Sequence, residues 1–497
     1  MSEFTEIAGV RVSTEHFINN QRVSSAETFE AHSAIDESIL GHVARGTMRE
    51  VDMAVAAATA AFPAWAALGA ARRLKILEKL AHIIEARVEE LAAVETMNNG
   101  SLLEASRLRV MKRGGHNIHF FAELAKDLEH DQKNEWDTEA VKNAHNSVRY
   151  DPAGVTALIT PWNAPFMLAT WKVGPALAAG NTVVLKPAEW TPFTASLLAD
   201  FALEAGLPAG VFNVVQGLGN EAGAALVAHP DVKRISFTGS VPTAQKIATS
   251  AAQNLTPFSF ELGGKSPFIV LADCDLELAI RNAVDQYDNC GQVCLSGTRL
   301  LVEDKIYDSF LETFREAVKN TKQGDPREAS TVVGPLVTRT HLERVQGFVD
   351  RAIESGATLE FGGKVSPTLK HLYFEPTLFT NIPDGAEILK KEVFGPVLTL
   401  QKFSSEAELV SLANNTEYGL AAMIFSKDQE RAERISSQLS AGTIWINCFY
   451  VRDLAAPFGG SRKSGVGREG GHWSFDFYCD VKNVVHRKGT FVSTKLE

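Results

Sequence analysis

The chain lacks most of what marks secreted, membrane-bound or nucleic-acid-binding proteins. Cysteine is scarce and odd in number, 5 in 497 residues (Cys274, Cys290, Cys294, Cys448, Cys479), without ligand-type pairing. That argues against a disulfide framework or a zinc site and for a reducing compartment, with no metal expected. No uninterrupted apolar stretch reaches the roughly 18 residues of a membrane span. The N-terminal Met1-Ser2-Glu3-Phe4-Thr5-Glu6 has neither the basic segment nor the apolar run of a leader. Basic residues are outnumbered, 49 Lys and Arg against 60 Asp and Glu, for a formal net charge of −11. With no basic run or aromatic-and-basic stripe, this balance argues against nucleic acid as a partner and mainly aids solubility. A cytoplasmic protein without membrane or nucleic-acid contacts is expected. Internal repeats and low-complexity tracts are also missing.

What is present is a 45% hydrophobic, 22% charged chain too long for one core, so two or three domains are expected. The stretch 51–68 is alanine-rich, and Leu74, Leu77, Leu80, Ile84, Val88 and Leu91 recur at helical steps. This spacing predicts packing helices without chemistry. From Gly154 the texture changes to short β-branched runs at 155–159, 182–185, 211–215 and 234–238, separated by amphipathic stretches at 194–205, 221–228 and 243–254. That alternation predicts a doubly wound parallel sheet. A second α/β pattern begins near Lys265, with strands at 268–271, 299–302 and 442–446, so the domain change falls close to Gly263-Gly264. The polar stretch 136–147 reads as a connector or protruding arm.

Two glycine-rich stretches carry opposite messages. Gly217-Leu218-Gly219-Asn220-Glu221-Ala222 follows a strand and precedes a helix, as a dinucleotide turn does, but has Ala at its third position and no evident acidic residue after the next strand. It reads equally as a cofactor turn or a tight connection. Gly263-Gly264-Lys265-Ser266 has Ser259 where a phosphate loop opens with glycine, and it precedes a strand, so it is not a triphosphate site. Cys294, in Gly291-Gln292-Val293-Cys294 and downstream of Glu261, is either a buried hydrophobe or a nucleophile whose surroundings must populate its thiolate.

Several segments, in order, resemble the NAD(P)-dependent aldehyde dehydrogenase superfamily across nearly the whole chain. They are Pro161-Trp162-Asn163-Ala164-Pro165, Lys186-Pro187-Ala188-Glu189, Phe237-Thr238-Gly239-Ser240, Glu261-Leu262-Gly263-Gly264-Lys265-Ser266-Pro267, Gly291-Gln292-Val293-Cys294, Glu392-Val393-Phe394-Gly395-Pro396, and Pro457-Phe458-Gly459-Gly460 with Ser464-Gly465. The stretch Gly467 through Tyr478 resembles the hydroxymuconic semialdehyde dehydrogenases of aromatic-ring catabolism more than general aldehyde dehydrogenases.

The resemblance implies an α/β fold of two doubly wound domains. Residues 1–136 and 152–262 would bind NAD, 263–463 would be catalytic, and 137–151 with 480–497 would form a β oligomerisation arm and tail in a homodimer or homotetramer. Cys294 would add to the aldehyde carbon and Asn163 would donate to the alkoxide. Glu261 would activate the water that hydrolyses the thioester. Lys172 and Glu469 would form a proton relay, although surface salt bridging is the plainer reading of that pair.

Thr160, Pro161, Trp162, Lys186, Glu189, Gly219, Gly239, Ser240, Leu262, Glu392 and Phe394 would hold the cofactor. Glu189 would accept from a ribose hydroxyl and repel a 2′-phosphate, which implies NAD over NADP. Ala244 stands where the family often has glycine, and its methyl group could crowd the pyrophosphate. Phe166, Leu168, Trp171, Tyr287, Asp288, Leu295, Arg452 and Phe458, with Phe449, would line the aldehyde tunnel. Arg452 would either grip a substrate carboxylate or pair with a local aspartate. By spacing alone, Cys290, at i−4 from Cys294, would on a helix share a face with it and could form a reversible disulfide, a packed cysteine on a turn being the plainer reading. The alternatives are a broad-range aldehyde dehydrogenase, a CoA-acylating enzyme, and a catalytically silent structural relative.

Overall fold

The computed structural model describes residues 3–129 and 144–487. Parts of the expected arm (137–143) and tail (488–497), most of the polar stretch 136–147 and the first two residues of the N-terminal segment lie outside them.

In the first half two small antiparallel hairpins, Phe4–Ile7 with Val10–Ser13 and Thr28–His32 with Ile39–Ala44, flank β1 (His16–Ile18) and β2 (Gln21–Val23), and helices α1 (Met48–Ala66), α2 (Ala70–Ala86), α3 (Val88–Asn99) and α4 (Met111–Leu124) follow. A π-helical turn at Ser106–Val110 leads into α4. After β3 (Ala144–Pro152) come β4 (Val155–Ile159), α5 (Pro165–Ala179), β5 (Thr182–Lys186), α6 (Phe193–Ala205), β6 (Phe212–Val214), β7 (Val232–Gly239), α7 (Val241–Ala251) and β8 (Phe258–Leu262). Thr47 and Glu50 cap α1 reciprocally.

β4 and β5 are buried along their whole length, as central parallel strands must be. Successive side chains point to opposite faces, so Leu158 joins the core under α2, α4, α5 and α6, while Ala157 and Ile159 join the one under α1 and α7. Helices on both faces of the sheet make the fold doubly wound.

The second half supplies β9 (Pro267–Val270), α8 (Leu276–Val284), β10 (Arg299–Glu303), α9 (Tyr307–Lys319), α10 (Arg339–Glu354), β11 (Thr358–Phe361), β12 (Thr377–Thr380), β13 (Val397–Phe403), β14 (Ala421–Phe425) and β15 (Thr443–Ile446). β16 (Gly465–Val466), α11 (Gly471–Tyr478) and β17 (Cys479–Arg487) end the described chain. The sheets run β16-β8-β7-β4-β5-β6-β1-β2 and β11-β12-β13-β10-β9-β14-β15.

Both sheets are parallel at their centres, but β1, β2 and β16 run antiparallel at the edges of the first and β11 at the edge of the second. β3 pairs antiparallel with β17, Tyr150 opposite Val481, as a ribbon separate from both sheets. Among the described residues no helix is long and apolar enough to cross a membrane.

Candidate active site

In the first sheet β5 and β6 lie on one side of β4, while β7 and β8 lie on the other. The chain therefore reverses direction between β4 and β7, and a crevice opens there beyond the carboxyl ends of the strands. Thr160-Pro161-Trp162 follow β4, Gly239 ends β7 and Ser240 follows it, Lys186 ends β5, and Leu262 ends β8.

Lys186 Nζ bonds Glu189 Oε2 at 3.0 Å. Burial pushes the Glu189 carboxyl up, but the Lys186 charge and backbone donors, including the Gly219 N–H, hold it below the usual range. It is therefore an ionised acceptor suited to ribose hydroxyls and hostile to a phosphate. Ser240 stands at the N-cap of α7 without bonding the helix's own N–H groups. Those donors and the helix dipole would suit an anion such as a pyrophosphate. The Ala244 side chain packs in the hydrophobic cluster with Ile159 and Phe237 instead of facing the crevice. The residues present fit a dinucleotide.

Glu392 and Phe394 are held from α10. Arg344 donates to the carbonyls of Glu392 and Val393, and His341 Nε2 contacts Phe394 O at 2.7 Å. Phe394, with φ +61, sits edge-on to Trp162 with centroids 5.2 Å apart.

The thiol lies on a loop that leaves helical geometry at Asp288 and takes positive φ at Asn289, Cys290 and Gly291. Gly291 is required twice over, because φ is +68 and a Cβ would strike Gly395 O. Gln292, almost fully buried, pins the loop by donating to Asn289 O at 2.9 Å and accepting from Val337 N–H at 2.9 Å. Asn163 Nδ2 donates to Gln292 O at 3.0 Å, and Asn289 Nδ2 donates to Asn163 O at 3.0 Å. The Asn163 amide has two hydrogens, so one bond orients it and the second stays available as a donor.

Cys294 opens on a cavity of about 390 Å³ whose wall includes Asn163, Leu168, Trp171, Glu261, Asp288, Leu295, Arg452, Phe458 and Glu469. Glu261 reaches it from β8, paired with Thr238 on one side and Gly465 on the other. Its Oε1 is buried without a hydrogen-bond partner among the described residues. Burial, then the Glu469 charge, pushes this carboxyl well above its ordinary range, with Lys172, Arg452 and Arg468 pulling back. The Cys294 thiol is pushed up to about 12 by burial and by the charges of Glu392 and Glu261, with Arg452 opposing. Burial thus holds the proton on both groups more tightly than water would.

Lys172 and Glu469 correct the surface reading. Both are buried, 0% and 5% exposed, with Lys172 Nζ 2.6 Å from Glu469 Oε1 and 2.8 Å from Ser236 Oγ. Trp171 Nε1 donates to the other Glu469 oxygen at 2.5 Å. Arg452 does not pair with a local aspartate. Asp453 Oδ1 accepts from Ala455 N–H instead, while the Arg452 guanidinium lies 3.6 Å from the Phe458 ring centroid and 5.2 Å from that of Trp171. Asp288 does face the cavity, with burial raising its pKa and Arg109 offsetting that.

Three expected wall residues lie elsewhere. Phe166 packs in the core against Gly114 of α4. Tyr287 is buried against Phe314, with its hydroxyl on Thr377 O at 3.0 Å. Phe449 packs edge-on against Trp445. Their rings have more apolar surface to bury in the cores than at the tunnel. The shared helix face for Cys290 and Cys294 is also absent, since the backbone is left-handed at Cys290 and its thiol is fully buried.

Sequence reasoning missed Glu95, Arg109, Arg113 and Asn117, all of which line the cavity. Arg113 Nε donates to Asn117 Oδ1 at 3.0 Å, and its guanidinium stands 5.9 Å from the Trp171 ring. Among the described residues no carboxylate pairs with Arg109, Arg113 or Arg452 within 4.0 Å. The available signal was the basic cluster Arg107, Arg109, Lys112 and Arg113 at the entry to α4, where the π-helical turn breaks the regular face.

A profile of the aldehyde dehydrogenase family matches residues 21–484. The chain is 41% identical over 479 residues to the 2-hydroxymuconic semialdehyde dehydrogenase of Pseudomonas sp. (strain CF600), covering 95% of this chain and 98% of that one. Among solved structures, HpcC from Thermus thermophilus superimposes with a TM-score of 0.93 at 41% identity, covering 99% of each chain. Betaine aldehyde dehydrogenase from Staphylococcus aureus in complex with NAD+ superimposes with a TM-score of 0.93 at 35% identity, covering 98% of this chain and 97% of that one.

Proposed function

The chain belongs to the aldehyde dehydrogenase family, and on that premise we propose that it oxidises a carboxylate-bearing semialdehyde of aromatic-ring cleavage with NAD. One observation carries the substrate class. Arg113 and Arg452 flank Trp171 in the cavity that holds Cys294, neither with a carboxylate of its own among the described residues. Burial and then mutual repulsion lower the Arg452 pKa to about 10, so it stays charged at neutral pH. Two such cations, unpaired within 4.0 Å in a cavity whose own carboxylates include Glu261, Asp288 and Glu469, are completed by an anion. The similarity to a 2-hydroxymuconic semialdehyde dehydrogenase supports the same class.

In this reading the Cys294 thiol passes its proton to Glu261 and the sulfur adds to the aldehyde carbon. The free N–H of the Asn163 amide and the Cys294 backbone N–H stabilise the alkoxide. Bound NAD supplies the hydride acceptor. After the alkoxide collapses to a thioester, Glu261, having released its proton toward Lys172 and Glu469, takes one from water, and the acid leaves. Glu261 therefore favours hydrolysis over transfer to CoA. Its retention with Cys294 and Asn163 argues against a silent relative.

Glu189 supports NAD over NADP. The β3–β17 ribbon, with Val481 and Val485 exposed on one face, supports a homodimer or homotetramer in which another copy covers it. Five free thiols support a cytoplasmic location. The test is NADH formation across aliphatic, aromatic and carboxylate-bearing aldehydes, with and without CoA. Neutral aldehydes turning over as well as semialdehydes of equal size would make this a broad-range enzyme.

A further inference from the structure

We propose that Glu95 is a positioning residue for Asn163, holding the turn that aims its amide at the alkoxide. The inference rests on the reading of Asn163 as alkoxide donor.

The turn cannot hold itself. Asn163 and Ala164 lead into α5, whose N-cap residue, Ala164, makes no side-chain cap bond, and whose first helical residue, Pro165, has no N–H. The first free donor is the Phe166 N–H, and it is satisfied from another helix, by Glu95 Oε2 of α3 at 3.0 Å. The same oxygen accepts from Thr194 Oγ1 at 3.2 Å, in the first turn of α6. One turn further along α3, Asn99 Nδ2 donates to Trp162 O at 3.4 Å. α3 thus grips the backbone on both sides of Asn163, while Asn289 and Gln292 hold residue 163 from the nucleophile loop.

Glu95 is 1% exposed and lines the cavity. A buried carboxyl is costly, and here burial raises its pKa to about 7. An apolar residue would fill this core at less expense. What Glu95 adds, from α3, is an acceptor for the first free N–H of the helix that carries the oxyanion turn.

Because a single oxygen takes both bonds, a glutamine carbonyl can replace it, whereas an aspartate is one methylene too short. kcat and KM are measured with the semialdehyde and NAD for wild type, Glu95→Gln, Glu95→Asp, Asn163→Ala and the Glu95→Asp/Asn163→Ala pair. Glu95→Gln keeps kcat within about threefold. Glu95→Asp lowers kcat by about 10- to 100-fold with both KM values nearly unchanged. Asn163→Ala alone costs about 100-fold, and adding Glu95→Asp to it costs no more.

Multiplying losses in the pair, or a Glu95→Gln as damaging as Glu95→Asp, overturns the proposal while leaving Asn163 as the donor. An Asn163→Ala with wild-type kcat overturns the donor reading itself and this inference with it. Asn99→Ala, which loses the bond to Trp162 O and the one accepted from the Ser101 N–H, carries the same non-additivity test if Glu95→Asp does not fold.

Discussion

Replacing Arg452 by methionine removes a guanidinium from the cavity while keeping an apolar stem over Phe458, so it isolates charge from packing. A bidentate bond from a guanidinium to a carboxylate contributes about 1.5 to 3 kcal/mol. Two features of the cavity set where in that range it falls. Arg113 repels Arg452, and that repulsion is relieved when an anion binds, which favours the upper end. Arg113 also remains after the substitution and can take part of the load, which favours the lower end. The balance is about 2 kcal/mol, or roughly 30-fold in kcat/KM at 1.36 kcal/mol per tenfold.

The assay is kcat/KM from NADH absorbance for a carboxylate-bearing semialdehyde and for the neutral aldehyde of equal length. The semialdehyde loses about 30-fold, mostly in KM, and the neutral aldehyde stays within about threefold. Equal losses for both would refute the reasoning, because the guanidinium would then be supporting the wall and not reading the substrate.

Glu261→Gln removes the base for both the thiol and the water, so it slows the NADH burst and lowers the steady-state rate by about 10³-fold, measured by stopped flow; a burst at wild-type speed would leave Glu261 to the hydrolysis step alone. Glu189→Ser raises kcat/KM with NADP by about tenfold or more, since the carboxylate that repels a 2′-phosphate is gone; an unchanged NAD-to-NADP ratio sinks the selectivity argument. His16 is fully buried, accepts from Gln216 N–H at Nδ1, and has its pKa lowered to about 4 by burial. Its folded pKa lies below the unfolded 6.5, so its contribution is complete above pH 6.5 and is lost as pH falls toward 4, by up to about 3 kcal/mol. Denaturant unfolding from pH 7.5 to 4 tests this, and His16→Asn flattens the difference between those limits; parallel curves for the two proteins would contradict it.

The reading of the fold succeeded where strands are short, β-branched and bounded by turns, as at Val155–Ile159. It missed β8, although Glu261 itself lies on it, because Phe258-Ser259-Phe260-Glu261-Leu262 mixes polar and aromatic residues in a strand bonded on both sides. Cys294, Glu261 and Asn163 were legible as motifs because each lies in an unusual local sequence, Asn163 and Cys294 on loops and Glu261 near the carboxyl end of β8. Glu95, Arg109 and Arg113 were not, since their helical periodicity is that of packing helices and only tertiary contact turns them toward the thiol. Phe166 and Tyr287 failed for the converse reason. Sequence position beside the site says nothing of which way a large ring points, and both rings point into the cores.

The electrostatics of the cavity bear on the order of events. Arg452 is the side chain that draws the Cys294 thiol pKa down, while Glu392 and Glu261 drive it up. A substrate carboxylate seated on Arg452 would cancel that help, so an anionic substrate cannot be what ionises the thiol. The proton must go to a neighbour with matching affinity, and Glu261 is raised well above an ordinary carboxyl by burial and Glu469. Transfer from Cys294 to Glu261 exchanges one negative charge for another and leaves the cavity's net charge unchanged, which avoids placing two anions side by side. The consequence is directional: Glu261 cannot serve the thiol and then water without first shedding that proton. Glu469 repels the Glu261 carboxylate while its partner Lys172 attracts it, so the buried pair controls that reset. Lys172→Met should therefore slow hydrolysis of the thioester while sparing the NADH burst.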